Sequence, residues 1–116
     1  MSDSDQLRIR HMLDAAKEVV SFTKGRERSD LVNDRMLFLS LMSLYQIIGE
    51  AASHVSDELR REHPAIEWRE ASSMRNRLIH GYFDVDYNVM WDTAVENIPT
   101  LIAQLTPLIT QFRLEL

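Results

Sequence analysis

One short stretch of the chain carries side chains suited to proton transfer and anion binding. Arg75, Asn76, Arg77, His80 and Tyr82 fall within eight positions. Histidine takes up and gives off protons because its ordinary pKa lies near neutrality. Arginine binds phosphate oxygens through a charged fork of donors. The stretch therefore holds the parts of an acid–base site for an anionic substrate.

The same residues also fit a purely structural role. Gly81 predicts the end of a helix, where Arg77 and His80 would complement the helix dipole. On such a helix Asn76 and His80, four positions apart, share a face. Arg75 and His80, five apart, point about 140° away from each other. Spacing alone leaves the functional site and the solvated helix end as equal alternatives.

Helical periodicity predicts the elements that position this stretch. A first helix ends near Gly25, and its buried face consists of Ile9, Leu13, Ala16 and Val20. The charged segment 25–30 reads as an exposed connection, with Ser29 or Asp30 as the cap of the next helix.

The second helix is apolar around much of its circumference and should continue to Pro64, which disfavours helical geometry in the residue before it. One stripe contains Leu37, Leu41, Leu44 and Ile48, and a second contains Phe38, Met42 and Tyr45. This width predicts a homodimer in which a second copy covers one side; the central helix of a monomeric bundle is the alternative. Gly49 and the small residues after it predict the close approach of another helix.

Two further helices complete the prediction. The third begins between Ala65 and Trp68 and ends near Gly81, and an aspartate in the segment 83–87 caps the fourth. Pro99 and Pro107 should kink or divide that fourth helix. Its stripe is Ile98, Leu101, Ile102, Leu105, Leu108, Ile109 and Phe112. Without alternating β-branched runs, the chain is expected to be a single all-α domain, 1–116, folded as an up-and-down four-helix bundle with a kinked or split C-terminal helix.

Composition narrows the function classes. The 116 residues are 45% hydrophobic, with a net charge of −5 and no cysteine. The charge argues against a protein that coats nucleic acid through bulk positive charge, and the lack of cysteine excludes disulfides and thiol nucleophiles. The acidic start, 1–5, lacks the pattern of an export signal, and the longest uncharged runs, 36–49 and 97–112, are shorter than the roughly 20 residues of a membrane span. We expect a soluble, cytoplasmic protein without membrane contact.

Several blocks in order resemble a known family. They are Gln46–Ala52, Trp68, Met74–Asn76, His80–Tyr82, Val85–Asp86 and Trp91. The spacing Arg75-x4-His80 resembles the signature of the HEPN superfamily, and its extension to Tyr82 is similar to that of the HepT-like toxin family. The family usually has proline before the tryptophan of the third helix, whereas Glu67 stands here.

The resemblance implies a ribonuclease toxin of a type VII toxin–antitoxin system of the HepT/MntA type. Such a protein is a homodimer that cleaves RNA, with tRNA as a candidate, and binds no metal, cofactor or DNA. Its partner is a nucleotidyltransferase antitoxin that transfers AMP to the motif tyrosine, here Tyr82. The added nucleotide and its phosphodiester charge would block and repel RNA two residues from His80.

The chemistry of metal-independent RNA cleavage agrees with this implication. The ribose 2′-OH attacks the adjacent phosphate while one group accepts a proton, another donates one, and a cation stabilises the charge. His80 suits the proton transfers and Arg75 the phosphate oxygens; Asn76 either orients His80 or holds a phosphate oxygen. One histidine cannot be base and acid together, so a dimer that joins two copies of the motif supplies both.

Other charged residues allow weaker predictions. Glu50 is either the first exposed residue after the core or a buried partner of Arg75, and both Glu50 and Arg77 are candidates to support the site. The remaining histidines, His11, His54 and His63, lack ligand spacing, so no metal site is expected. Asp34–Arg35 and the run 58–62 read as helix-surface pairs. A basic patch requires folding to segregate Arg60, Arg61, Arg69, Arg75 and Arg77 from nearby glutamates, and RNA binding would be hard to defend if all five fell on different faces.

Two functions compete with the ribonuclease. A HEPN-like bundle also serves as a non-catalytic partner of a nucleotidyltransferase and contributes contacts to a nucleotide or substrate. A helical protein with no active site is the third interpretation. The intact set of Arg75, Asn76 and His80 favours the enzyme.

Overall fold

The computed structural model describes residues 1–79 and 84–115, and side chains as far as Ile109. Within this part the chain is helical, and an isolated antiparallel bridge joins Ile79 to Val85. The helices are α1 (Asp3–Thr23), α2 (Asp30–Asn33), α3 (Arg35–Ser53), α4 (Asp57–Glu62), α5 (Trp68–Ser72), a 3-10 turn (Asn76–Leu78), α6 (Tyr87–Asp92), a π-helical turn (Thr93–Asn97) and α7 (Ile98–Glu115). Helix α1 packs against α3 and α7, and α3 packs against α5. The predicted all-α bundle is confirmed.

Helix α1 follows the prediction closely. The Ser2 hydroxyl caps it by accepting a hydrogen bond from the Asp5 backbone N–H at 3.0 Å. Ile9, Leu13 and Ala16 are buried as predicted. Val20 is exposed instead, because the helix turns its neighbour Val19 into the core. The helix ends just before Gly25, whose φ of 72° lies in the left-handed region that favours glycine.

The connection to α3 differs from the prediction. The short α2 intervenes, and neither Ser29 nor Asp30 caps the long helix. Asp34 caps it by accepting from the Leu37 N–H at 3.2 Å. Asp34 also pairs with Arg26 at 2.7 Å rather than with Arg35, so the predicted Asp34–Arg35 pair was wrong. The Arg26 guanidinium lowers the pKa of the Asp34 carboxyl, and the Leu37 N–H adds to this effect.

Both apolar stripes of α3 pack inside the chain. Leu37, Leu41, Leu44 and Ile48 are buried, and so are Phe38 and Tyr45 of the second stripe, while Met42 is half-buried. The Tyr45 hydroxyl donates to the Met90 carbonyl at 2.8 Å, and burial raises the pKa of Tyr45. The second stripe therefore gives no argument for a second copy. By length and composition α3 is apolar enough to cross a membrane, but half of it is buried in the bundle, as in a core helix.

Helix α3 ends at Ser53 and does not reach Pro64. The Ser56 hydroxyl caps a separate helix, α4, by accepting from the Leu59 N–H. Asp5 of α1, only 5% exposed, accepts from the Ser56 N–H at 2.9 Å and from its hydroxyl at 2.6 Å. This contact joins the start of α1 to the segment between α3 and α4, and spacing along the sequence does not reveal it.

The C-terminal helical run contains one π-helical turn, which separates α6 from α7. Asp86 caps α6 as predicted, by accepting from the Val89 N–H at 3.0 Å. The π-helical turn directly precedes α7, whose second residue is Pro99, a residue with no backbone N–H to donate. Pro107 lies inside α7 and does not divide it. The predicted stripe is buried at Ile98, Leu101, Leu105, Leu108 and Ile109 and half-buried at Ile102, and the Phe112 side chain lies outside the described residues.

Candidate active site

Helix α5 leads into the motif and is much shorter than predicted. It begins at Trp68, within the predicted range, and the Trp68 indole donates to the His63 carbonyl at 3.0 Å. It ends after Ser72 rather than near Gly81. The hydroxyls of Ser72 and Ser73 both donate to the Arg69 carbonyl, and such bonds compete with helical ones. The motif therefore lies on a turn and not on the end of a long helix.

The backbone after Arg75 forms a single 3-10 turn. It covers Asn76–Leu78, and Ile79 is then extended, with φ −107° and ψ 119°. Ile79 bridges Val85, and the Leu78 carbonyl accepts from the Asp86 N–H at 2.7 Å. Residues 76–79 therefore do not continue an α-helix. The predicted shared face of Asn76 and His80, and the predicted 140° between Arg75 and His80, assumed that helix, and His80 itself lies outside the described residues.

His80, Gly81, Tyr82 and Phe83 lie outside the described residues. The predictions that fall on them are the acid–base role of His80 and the modification of Tyr82. In the chain, His80 directly follows Ile79, and Tyr82 comes three residues before Val85.

Arg75 and Asn76 line an open depression of about 210 Å³ between α3 and α5. The α3 wall is formed by Gln46, Gly49, Glu50 and Ser53. Arg75 is half-buried, and its guanidinium makes no hydrogen bond or ion pair with any residue that the structure describes. A guanidinium available at such an opening can bind a phosphate through two parallel N–H···O bonds.

Gly49 lets α5 lie close enough to α3 to form this depression. A Cβ at Gly49 would lie 3.0 Å from the Ser72 carbonyl oxygen and 3.5 Å from that of Ala71. The prediction that small residues here admit another helix is confirmed. Arg75, three positions after Ser72, is placed by this contact.

Of the two predicted environments of Glu50, the structure shows the exposed one. Its side chain is 72% exposed and lies 3.4 Å from the His54 imidazole, so it is not a buried partner of Arg75. Both Glu50 and Arg75 nevertheless line the same depression. The Glu50 carboxylate therefore places a negative charge at the same opening as the Arg75 guanidinium.

Arg77 faces a different groove. It lines an opening of about 120 Å³ between α5 and α7, and its guanidinium lies 4.0 Å from Glu70. Arg60, in turn, donates to the Ala52 carbonyl at 2.8 Å. Arg60, Arg75 and Arg77 therefore lie at three separate places, and these three arginines do not form one basic patch.

A third and larger opening, the α1–α3 cavity, has a volume of about 340 Å³ and was not predicted from the sequence. Arg8 and His11 line it from α1, and Gln46 and Glu50 border it as well as the Arg75 depression. The sequence signal was the spacing of Arg8 and His11, three apart on the polar side of an amphipathic helix. Within residues 1–79 and 84–115, no three His, Asp or Glu side chains are grouped as metal ligands.

Comparison with known proteins supplies the family. A family model described as "Ribonuclease HepT-like" matches residues 12–108. A "Probable ribonuclease HepT" of Thermococcus cleftensis is 38% identical over 88 residues, which cover 76% of this chain and 80% of that protein. A "Putative RNase" of Caldanaerobacter subterraneus is 34% identical over 96 residues, 83% of this chain and 86% of the relative. One of Methanocaldococcus jannaschii is 32% identical over 90 residues, 78% and 83% respectively.

No solved structure matches the chain. The family match spans the helices that enclose the Arg75 depression as well as the motif itself. On this match and these identities, the chain belongs to the HepT-like family of ribonucleases.

Proposed function

We propose that this chain is a metal-independent endoribonuclease and the toxin of a type VII toxin–antitoxin pair, with tRNA as the first candidate substrate. The observation that carries the proposal is the position of Arg75 and Asn76. They line an open depression in a member of a ribonuclease family, and they precede His80 in the chain by five and four residues.

Each residue of the motif has a role in the proposed reaction. Arg75 binds the non-bridging oxygens of the scissile phosphate and stabilises the charge that builds up on them. The His80 of one copy removes the proton of the attacking 2′-OH, and the His80 of the other copy donates a proton to the leaving 5′-oxygen. Asn76, exposed at the same opening, holds a phosphate oxygen or orients His80. Arg77 faces the α5–α7 groove, outside the depression of Arg75 and Asn76.

Cleavage of total tRNA in excess EDTA tests this proposal. Wild type should cut, whereas Arg75→Ala and His80→Ala should lose at least a hundredfold in rate, as expected for a lost charge stabiliser or general acid–base. Arg61→Ala, which removes an exposed arginine of α4, is the matched control and should cut normally. If wild type with unmodified Tyr82 does not cut any RNA, the chain is instead a non-catalytic partner of a nucleotidyltransferase.

The proposed reaction needs two histidines, and we propose that a homodimer supplies them. The helix that forms one wall of the depression, α3, also has exposed apolar side chains at Met36 (79%) and Leu39 (49%). Val32 of α2, 67% exposed, lies just before them. Light scattering should give a dimer for wild type and a monomer for Met36→Asp/Leu39→Asp. A monomeric variant that cleaves RNA at the wild-type rate contradicts the composite site.

We also propose that a cognate nucleotidyltransferase neutralises the toxin by adenylylating Tyr82. AMP at this position adds bulk and a negative charge two residues from His80, where RNA must bind. Incubation with the antitoxin and ATP should add the mass of AMP and stop cleavage. Tyr82→Phe should stay unmodified and active, whereas the control Tyr87→Phe, which changes the partly exposed tyrosine of α6, should behave as wild type. Full neutralisation of Tyr82→Phe by the active antitoxin contradicts this proposal.

A further inference from the structure

The cavity between α1 and α3 contains several donors that the proposed reaction does not use. It has a volume of about 340 Å³ and is larger than the Arg75 depression. Arg8 and His11 face it from α1, and Ser43, Gln46 and Ile47 face it from α3. A guanidinium, an imidazole, a hydroxyl and an amide are the groups that proteins use to hold phosphate and ribose oxygens.

Arg8 is the residue in this cavity that most needs a ligand. The residue is half-buried, and its Nε is fully buried without a hydrogen-bond acceptor among the described residues. Buried donors are almost always paired, because an unpaired one has lost its water and gained nothing in return. Arg8 also makes no ion pair with any residue of the described part. Arg8 therefore lines the cavity without a counter-charge among the described residues, and an anion bound there would supply one.

His11 and the α3 wall complete a site for a nucleic-acid strand. His11 is exposed and lies one turn after Arg8 on the same helix, so both side chains face the cavity. Ser43 and Gln46 stand opposite, and Ile47, 44% exposed, offers apolar surface to a sugar or base. The Glu50 carboxylate lies at the rim, where it is 72% exposed and 3.4 Å from His54.

The cavity is continuous with the proposed active site. Gln46 and Glu50 line both the cavity and the depression of Arg75 and Asn76. The two openings therefore lie on opposite sides of one ridge of α3, and a helix with its side chains is about 10 Å across. A single strand of a few nucleotides can cross that ridge and occupy both openings.

We propose that the α1–α3 cavity is a second subsite for the RNA strand, in which Arg8 and His11 bind a phosphate that flanks the scissile one. The proposal rests on the proposed ribonuclease function. Arg8 and His11 are binding residues here and take no part in bond breaking. They set the length of RNA that the protein prefers and bring the scissile phosphate to Arg75.

Cleavage kinetics on substrates of two lengths test the subsite. On a single-stranded RNA of about ten nucleotides, Arg8→Met and His11→Ala should raise KM about tenfold and leave kcat unchanged. Arg8→Met should also reduce the slope of log affinity against log salt by about one, the effect of one lost phosphate contact. A dinucleotide has no flanking phosphate, so wild type and both variants should cleave it equally. Arg10→Ala, an exposed arginine of α1, is the matched control.

The outcomes separate the subsite from the ribonuclease function. Binding of a strand with a 2′-deoxy nucleotide at the cleavage position, measured by fluorescence anisotropy, does not require catalysis. If wild type binds this strand about tenfold more tightly than Arg8→Met and His11→Ala but cuts no RNA, the ribonuclease function is refuted while RNA binding by the cavity is supported. Equal affinity of wild type and both variants, or an equal loss on long and short substrates, overturns the subsite. His11→Ala changes an exposed side chain, so the test does not depend on whether Arg8→Met folds.

Discussion

Gly49→Ala should destabilise the protein, although the same change in an ordinary helix stabilises it. Glycine costs a helix interior about 1 kcal/mol relative to alanine, so propensity alone favours the variant. The added Cβ, however, would lie 3.0 Å from the Ser72 carbonyl oxygen, 3.5 Å from that of Ala71 and 3.6 Å from the Ser72 carbonyl carbon. All three atoms belong to the backbone of α5, which cannot rotate away as a side chain can.

The balance of these two effects gives the expected change in the free energy of unfolding. An extra methyl group in a well-packed contact costs about 1–3 kcal/mol. After subtraction of the propensity gain, we expect a net loss of about 1 kcal/mol in the free energy of unfolding. To relieve the contact, α5 must move a few tenths of an ångström away from α3, and Arg75 moves with it. The cleavage rate should therefore fall even under conditions in which Gly49→Ala remains folded.

Urea unfolding followed by circular dichroism, together with the tRNA cleavage assay, measures both effects. Ser21→Ala is the control, because it raises helix propensity at an exposed position of α1 away from the depression. It should gain a few tenths of a kcal/mol and cleave as wild type does. If Gly49→Ala gains about 1 kcal/mol and keeps full activity, α5 does not approach α3 as closely as described, and the argument for the placement of Arg75 fails.

Two further predictions concern the parts that hold the bundle together. Tyr45→Phe removes the donor to the Met90 carbonyl and should lower the free energy of unfolding by about 1 kcal/mol, measured by urea titration; an unchanged midpoint contradicts the buried hydrogen bond. Asp34→Ala should lower the melting temperature at pH 7. The pKa of Asp34 is lowered in the folded chain, so its contribution is present above its ordinary pKa and is lost as the pH falls below about 4. Melting temperatures of wild type and of Asp34→Asn, which resembles the neutral carboxyl, should therefore converge as the pH falls through the lowered pKa of Asp34, and a gap that does not change with pH refutes the role of the Arg26 ion pair. Asp34→Asn, which keeps a capping oxygen but not the charge, should fall between wild type and Asp34→Ala at pH 7.

Local patterns sufficed for several elements of the fold. Three of the four residues predicted for the buried face of α1 are buried, α5 begins within the predicted range of Ala65 to Trp68, and an aspartate of the segment 83–87, Asp86, caps α6. Each depends on neighbours within one or two helical turns, and the sequence lists those neighbours directly. The same reasoning failed where a distant residue intervened. Asp5 binds Ser56, the cap of α4, across 51 positions, and periodicity alone does not predict this contact beside the early end of α3.

The residue types of the site were present in the sequence, but their arrangement was not. The sequence alone picked out Arg75, Asn76 and His80 and the family they resemble, because residue chemistry and spacing are properties of the chain. The tertiary structure decided that Arg75 and Asn76 share a depression with Glu50, and that Arg77 faces another groove. It also brought Arg8 and His11 beside α3. These outcomes follow from how α5 and α1 pack against α3, at distances along the chain over which helical periodicity carries no information.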